Sequence, residues 1–294
     1  MAKRVFLFLA TNFVIFVTLS FVLNVLGVGR YLTPSGQVDL VALGAFCLVW
    51  GMGGAFLSLQ LSRWTAKRAM GIQLVGGQTG NADIDWLYNT VGNLTRQSSL
   101  PMPEVGFYDS PEVNAFATGP SKRRSLVAVS SGLLTTMPRN EIEGVLGHEI
   151  AHVANGDMVT MTLLQGVINA FVMFVARIAG AIARSMVDRR IARFVNIIVV
   201  IAFDIVLGLL GSMITAWFSR QREFRADAGG AGLAGRENMT AALRRLLATQ
   251  DRVDASNAAL ASFKIAGKGS WLRAFATHPP LEERIAALES GRVG

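Results

Sequence analysis

The sequence predicts a helix-rich integral membrane protein in which two apolar helical hairpins alternate with the two parts of an α+β domain. Three observations carry this expectation. Apolar residues make up 51% of the 294 and charged residues only 16%, against about 25% charged in a soluble domain. Four long stretches are almost free of charge. The segments between and after them have ordinary polarity and the periodicities of short strands and amphipathic helices.

The balance of 28 basic to 20 acidic residues gives a net charge of +8. That excess reads as loops facing anionic lipid. No basic patch interleaved with aromatics occurs, so nucleic acid is not an expected partner. The single cysteine, Cys47, excludes an intramolecular disulfide framework and sits in an apolar run, where packing is its expected role.

The elements follow in order. Residues 5–29 and 40–62 carry no charged side chain, and each exceeds the ~20 residues that span a hydrocarbon core. The first is long for a signal peptide and a second span follows at once, so an uncleaved hairpin is expected. Lys3 and Arg4 precede it, Arg63, Lys67 and Arg68 follow it, and Arg30 stands alone between. Positive-inside logic puts both ends in the cytoplasm.

Residues 64–157 read as folded outside the bilayer. Ile84, Leu87, Val91 and Leu94 recur at helical spacing within 83–98. "EVGFYD" and "SLVAVSS" read as strands, and "EVNAFA" is a candidate third. Asn140 with Glu143 three residues on suggests a capping box opening a helix that ends near Asn155-Gly156. Residues 158–176 are again uncharged, and 194–219 carry only Asp204. The stretch 177–193 reads as a basic loop with Arg177, Arg184, Arg189, Arg190 and Arg193 against Asp188. If the second pair crosses, this loop lies outside, against the positive-inside expectation. Crossing is still the reading, because both runs are long enough. Asp204 inside the fourth run calls for a partner, either an arginine of 177–193 or Gln165 or Asn169. "ENMTAALRRLLATQ" and "PLEERIAALE" read as amphipathic helices and "GKGS" as a turn. The expected division is therefore 1–66, first hairpin; 67–157, first part of the α+β domain; 158–219, second apolar pair; 220–294, second part of that domain.

The run "GHEIAHVANGD" holds two of the three histidines. His148 and His152, at i and i+4, project from one helix face and can take two corners of a tetrahedral zinc. Glu149 sits where such motifs place a general base. Shuffled sequences of this composition give H-E-x-x-H roughly once per thousand. The bland alternative is a pair of helix histidines satisfied by local hydrogen bonds. A third ligand could be His278 or Glu223 in "SRQREFRADAGG". Glu223 would complete a His2Glu set, and Asp227 one turn on could hydrogen-bond a ligand imidazole. On spacing alone, that pair could equally be a solvated face meeting Arg220, Arg222 or Arg225.

"GHEIAHVANGD" followed by "REFRADAGG" resembles the HtpX family of membrane-bound zinc metalloproteases, relatives of the CaaX prenyl endopeptidases. The resemblance extends over the whole chain, through "NAFATG" and "THPPLEERI". It implies a zincin-like α+β catalytic domain and one Zn2+ per chain held by His148, His152 and Glu223. It also implies Glu149 as catalytic and Asp227 behind the ligands. It further implies a multi-pass protein of the bacterial cytoplasmic (inner) membrane, its catalytic domain facing the cytoplasm, with a role in stress response and quality control. Substrates would be membrane proteins and unfolded polypeptides, and partners the lipid bilayer and other quality-control proteases. Arg225 departs from the family, whose members often have histidine there.

Two further roles are expected. His278 in "THPPL" is the candidate donor to the carbonyl oxygen as it gains negative charge. An extended peptide is expected along a strand edge, either Asn114, Ala115, Phe116 and Ala117 or the later "SLVAVSS". Rival readings are weaker. An intramembrane protease of the site-2 type lacks its L-D-G segment here, a prenyl-protein endopeptidase would need more spans, and a metal-bearing scaffold would have no use for Glu149.

Overall fold

The structure, a computed structural model, describes residues 2–25, 38–256 and 275–291. The loop carrying Arg30 and the "GKGS" turn lie outside the described residues. Two compact units emerge: residues 1–60 with 160–215, and residues 61–159 with 216–294.

The first unit holds the apolar helices. These are α1 (Ala2–Val25), the apolar part of α2 (Leu40–Met70), most of α6 (Asp157–Ser185) and the first half of α7 (Arg189–Ala234). Three of them, α2, α6 and α7, are long and apolar enough to cross a membrane, while α1 contributes a shorter apolar stretch, Leu9–Val25. Their outer faces leave Phe171, Ile201 and Leu209 more than half exposed, a surface suited to lipid rather than water. Inside, a Cβ on Gly51 would stand 2.6 Å from the Ala170 backbone nitrogen. Only glycine permits that approach, which is how apolar helices gain dispersion contacts without a hydrophobic driving force between them.

The expected basic loop at 177–193 is not a loop. Helix α6 continues to Ser185 and α7 begins at Arg189, leaving Met186–Asp188 as the connection. Arginine is a good helix former, so charge density was a poor guide to helix ends here. The carbonyl of Asp188 accepts from the Ile191 and Ala192 N–H groups and starts α7. The partners expected for Asp204 also fail. Gln165 Nε2 donates to Asn169 Oδ1 at 2.8 Å along its own helix. Among the described residues no arginine reaches Asp204 at ion-pair distance, and its Oδ1 is buried without a hydrogen-bond partner.

The second unit is a four-stranded sheet with helices packed on it. Its strands are β1 (Gln73–Val75), β2 (Glu104–Tyr108), β3 (Ala115–Ser121) and β4 (Arg124–Ser130), in the order β1-β2-β4-β3. β2 and β4 are parallel and the other two pairs antiparallel. The three-residue β1 was not foreseen. β3, expected over "EVNAFA", starts at Ala115 and runs on through Gly119-Pro120, a pair that ordinarily interrupts a strand. A bulge between Thr118 and Ser121 absorbs them. Gly119 has φ 145°, and a Cβ there would meet the Arg124 carbonyl oxygen at 2.2 Å. The strand "SLVAVSS" cannot be a free edge, because β4 lies between β2 and β3 and is buried from Ser125 to Ser130.

Helix α3 (Ala82–Gln97) is capped by Asn81, whose side chain accepts from the Asp83 and Ile84 N–H groups. It buries Leu87, Val91 and Leu94 against Val105, Val127 and Val129 of the sheet. After the short α4 (Ser131–Thr136), helix α5 (Arg139–Asn155) adds Ile142, Leu146 and Ile150 to the same core. The capping box expected at Asn140 does not form. Pro138 is the N-cap, its carbonyl accepting from Glu141 and Ile142 N–H at 3.0 Å. Proline's fixed φ presets this turn, so no side-chain cap is made. α8 (Arg236–Ser256) packs on α5, and α9 (Leu281–Glu289) on α8.

Gly144 marks the α5–α8 crossing, where a Cβ would lie 2.6 Å from the Asn238 carbonyl oxygen. Gly144→Val should therefore cost about 1–3 kcal/mol and lower the melting temperature in detergent. Gly232→Ala, whose Cβ meets nothing within 4 Å, should hold or slightly raise it. Equal melting temperatures would contradict this packing.

Candidate metal centre

The site is assembled where α5 lies against the second half of α7. His148 and His152 stand one turn apart on α5, 8% and 7% exposed, with ring centroids 4.5 Å apart. Glu223 and Asp227 stand one turn apart on α7, 1% and 0% exposed. The small residues of "ADAGG" bring the helices this close, since a Cβ on Gly230 would lie 2.9 Å from the His148 nitrogen. Helix α5 then ends on Gly156, whose φ of 72° turns the chain into α6.

Three candidate ligand side chains converge. His148 Nε2 is 3.1 Å from His152 Nε2. Glu223 Oε2 is 3.5 Å from the first and Oε1 is 3.4 Å from the second. The edge of a zinc tetrahedron with ordinary Zn–N and Zn–O bonds is about 3.3 Å. Each ring is also held from behind. His148 Nδ1 is 2.9 Å from Asp227 Oδ1, and His152 Nδ1 is 2.6 Å from Asp157 Oδ2. A neutral ring that donates Nδ1–H to a carboxylate turns its Nε2 lone pair toward the other ring. Two lone pairs at that separation repel unless a cation joins them. Glu223 Oε1 adds a buried acceptor with no hydrogen-bond partner, although Arg222 Nη2 stands 3.5 Å away. The residues thus fit a divalent cation.

Charge agrees. Around the site stand four carboxylates, Glu149, Glu223, Asp227 and Asp157, and two guanidiniums, Arg284 against Glu223 and Asp227 and Arg222 against Glu223, while Asp157 meets His152. A divalent ion would neutralise the remainder. Burial alone would lower the His152 pKa, but the Asp157 and Glu223 carboxylates outweigh it and push it up to about 9. His148 moves the same way: burial opposes, Asp227 and Glu223 win, and Arg284 subtracts a little. Burial would raise the carboxylates, yet His148, His152 and His278 hold Glu223 far below its usual range, and Arg284 with His148 lowers Asp227.

Glu149 shares α5 with the histidines and is half-buried. Its Oε2 accepts from the Ala117 N–H at 2.8 Å. β3 is an edge of the sheet, so the carboxylate is pinned to the strand expected to hold a peptide. Ala115, Phe116 and Ala117 lie on that strand, paired with Val129, Ala128 and Val127. Asn114 precedes it, its carbonyl accepting from the Ser130 N–H and its N–H donating to Ser130 Oγ. His278 arrives from the segment before α9, 62% exposed on its side chain, with Nδ1 3.0 Å from Glu223 Oε2. Arg225 faces away, its guanidinium 5.9 Å from the centre of the Phe218 ring.

Two residues were missed by the sequence reading. Asp157 sits just past the Gly156 turn, which folds it back beneath His152. Arg284 of α9 donates Nε to Asp227 Oδ2 at 2.8 Å and Nη2 to Oδ1 at 2.6 Å, and Nη1 lies 3.3 Å from Glu223 Oε2. The signal available for it was need: two carboxylates on one buried helix face require a cation, and "THPPLEERI" supplies one.

The match to known proteins is extensive. The model of Peptidase family M48 covers residues 81–292. The Protease HtpX homolog of Bacillus licheniformis is 50% identical over 297 residues, covering 99% of this chain and all of that one. The homolog of Bacillus subtilis matches equally, and Protease HtpX of Idiomarina loihiensis is 50% identical over 292 residues, with the same coverage. Among solved structures, S. mikatae Ste24p superposes with a TM-score of 0.65 at 17% identity. That match covers 98% of this chain, which spans only 64% of Ste24p's length.

Two outcomes follow from this geometry. Arg284→Lys keeps the charge but loses the two-pronged grip on Asp227, so metal affinity in a competition titration should fall about 10–100-fold; unchanged affinity would contradict the positioning role. The second is a pH dependence. A raised His152 pKa favours the charged ring, a contribution present below about pH 6.5 and lost as pH rises through about 9. A metal needs the neutral ring. Affinity should therefore climb at least about tenfold per pH unit between pH 7 and 9, and a flat profile would contradict the coupling.

Proposed function

The chain belongs to peptidase family M48, and from that premise we propose that it is a membrane-bound, zinc-dependent endopeptidase. Its proposed substrates are cytoplasmic segments of misfolded or damaged membrane proteins. The single observation that carries the reading is the meeting of His148, His152 and Glu223 beside a carboxylate, Glu149, tied to an edge strand.

His148, His152 and Glu223 would hold the zinc, which when bound would supply Lewis-acid chemistry for the scissile carbonyl and for water. The chain's own groups do the rest. β3, an edge strand, would take an extended peptide as a further strand beside the Ala117 N–H that Glu149 holds. The Ala117 N–H occupies Glu149 Oε2, which leaves Oε1 to take a proton from the attacking water. As the carbon–nitrogen bond breaks, Glu149 returns that proton to the leaving amine. His278 stands at the open side of Glu223, where it can donate to the carbonyl oxygen as negative charge builds there. Asp227, Asp157 and Arg284 hold the rings in the tautomer that ligation needs.

The substrate class rests on the membrane helices. Three helices suit a bilayer, and Glu223 shares one helix with the apolar run 194–219. A site built from such a helix is suited to polypeptide close to a membrane. Residence in the bacterial inner membrane with the catalytic unit in the cytoplasm agrees with Arg63, Lys67 and Arg68 following the second apolar run. Work alongside other quality-control proteases is part of the same proposal.

The test is cleavage of an unfolded protein such as casein by detergent-purified protein with zinc. Glu149→Gln should retain metal and lose about 10²–10⁴-fold in kcat. Equal turnover by both proteins would contradict the assignment of the base.

A further inference from the structure

We infer that the two-residue turn between β3 and β4, with Lys122, Arg123 and Arg124, is a docking surface for anionic lipid headgroups. The inference rests on the reading of the chain as a membrane protein and adds which part of the second unit meets the bilayer. Strand register places the turn. β2 and β4 are parallel with Glu104 opposite Leu126, and Ser121 pairs with Arg124. The start of β2 and the β3–β4 turn are therefore at the same end of the sheet.

Two points where the chain leaves its apolar runs lie at that end as well. Arg63 and Lys67 of α2, directly after the run 40–62, hold Glu104 at 3.3 and 2.9 Å. Lys122 Cε lies 3.8 Å from where a Cβ on Gly156 would stand, two residues before the run that opens at Met158. Trp64 is 49% exposed beside Arg63. Tryptophan next to cations at the end of an apolar helix is the side-chain pattern of a membrane–water interface.

Charge selects the partner. Lys122, Arg123 and Arg124 are all exposed at this end. Its acids are committed elsewhere, Glu104 to Arg63 and Lys67, and Asp157 to His152. The opposite end of the sheet exposes Asp109 and Glu112. The sheet is thus polarised along its strands, basic at the end that Arg63, Lys67 and Gly156 meet and acidic at the other. Each cation at an anionic surface is worth about a fivefold preference, so a cluster of this size orients the unit. The consequence for the reaction is a distance. Ala117, which holds Glu149, is five residues from Lys122, roughly 15 Å of extended strand. Bonds a few residues outside the bilayer would lie within reach of the base.

The test uses the full chain in nanodiscs, in a Cys47→Ala background, with an environment-sensitive fluorophore on Arg123→Cys, Glu112→Cys or Phe56→Cys. Lipids carrying a quencher at the headgroup should quench the probe at 123 and not the probe at 112. Replacing phosphatidylcholine by phosphatidylglycerol should raise quenching at 123 about fivefold or more, and Lys122→Glu with Arg124→Glu should abolish the gain. Quenching at 123 no greater than at 112, or indifferent to lipid charge, would overturn the inference. Position 56, on the apolar part of α2, should respond to a quencher deep in the acyl chains. Failure there would overturn the membrane reading together with the inference, whereas success at 56 with failure at 123 would overturn the inference alone.

Discussion

Glu223 is a carboxylate buried to 1% exposure with two imidazole nitrogens turned toward it. Burying a charge is costly unless cations and hydrogen bonds meet it. Much of the second unit answers that cost. Glycines and alanines of α7 let it close on α5, Asp227 and Asp157 fix the two rings, and Arg284 closes the cluster from α9. None of these groups would be tolerable alone in the core. Together they form a network that could hold one divalent ion in place of the protons on the two rings.

The same constraint links chemistry to the bilayer. Asp157 begins α6 and Glu223 sits in α7, so the helices that carry the apolar runs also carry the groups that make the site. The catalytic unit is interrupted in sequence by residues 160–215, yet its two parts are joined by the sheet-side core on α5 and by the metal cluster.

Much of this was legible in the sequence, for physical reasons. The i, i+4 spacing of His148 and His152 and of Glu223 and Asp227 needs only helix geometry, and long uncharged runs need only the thickness of a bilayer. What escaped depended on events beyond local pattern. Asp157 reaches His152 only because Gly156 adopts a left-handed turn, and Arg284 meets Asp227 across 57 residues of chain. The bulge at Gly119 let β3 continue through a glycine-proline pair, and Pro138 displaced the capping box expected at Asn140. The basic stretch 177–193 misled in the opposite direction, because arginine density resembles a loop while arginine itself favours helix.

Two imidazoles and one carboxylate are placed so that a single divalent ion could bind all three. X-ray absorption at the zinc edge of the zinc-loaded protein tests it most directly. One zinc per chain is predicted, bound only to nitrogen and oxygen at about 2.0–2.1 Å, with scattering from two imidazole rings. A six-coordinate, all-oxygen shell, or zinc bound without imidazole, would contradict it.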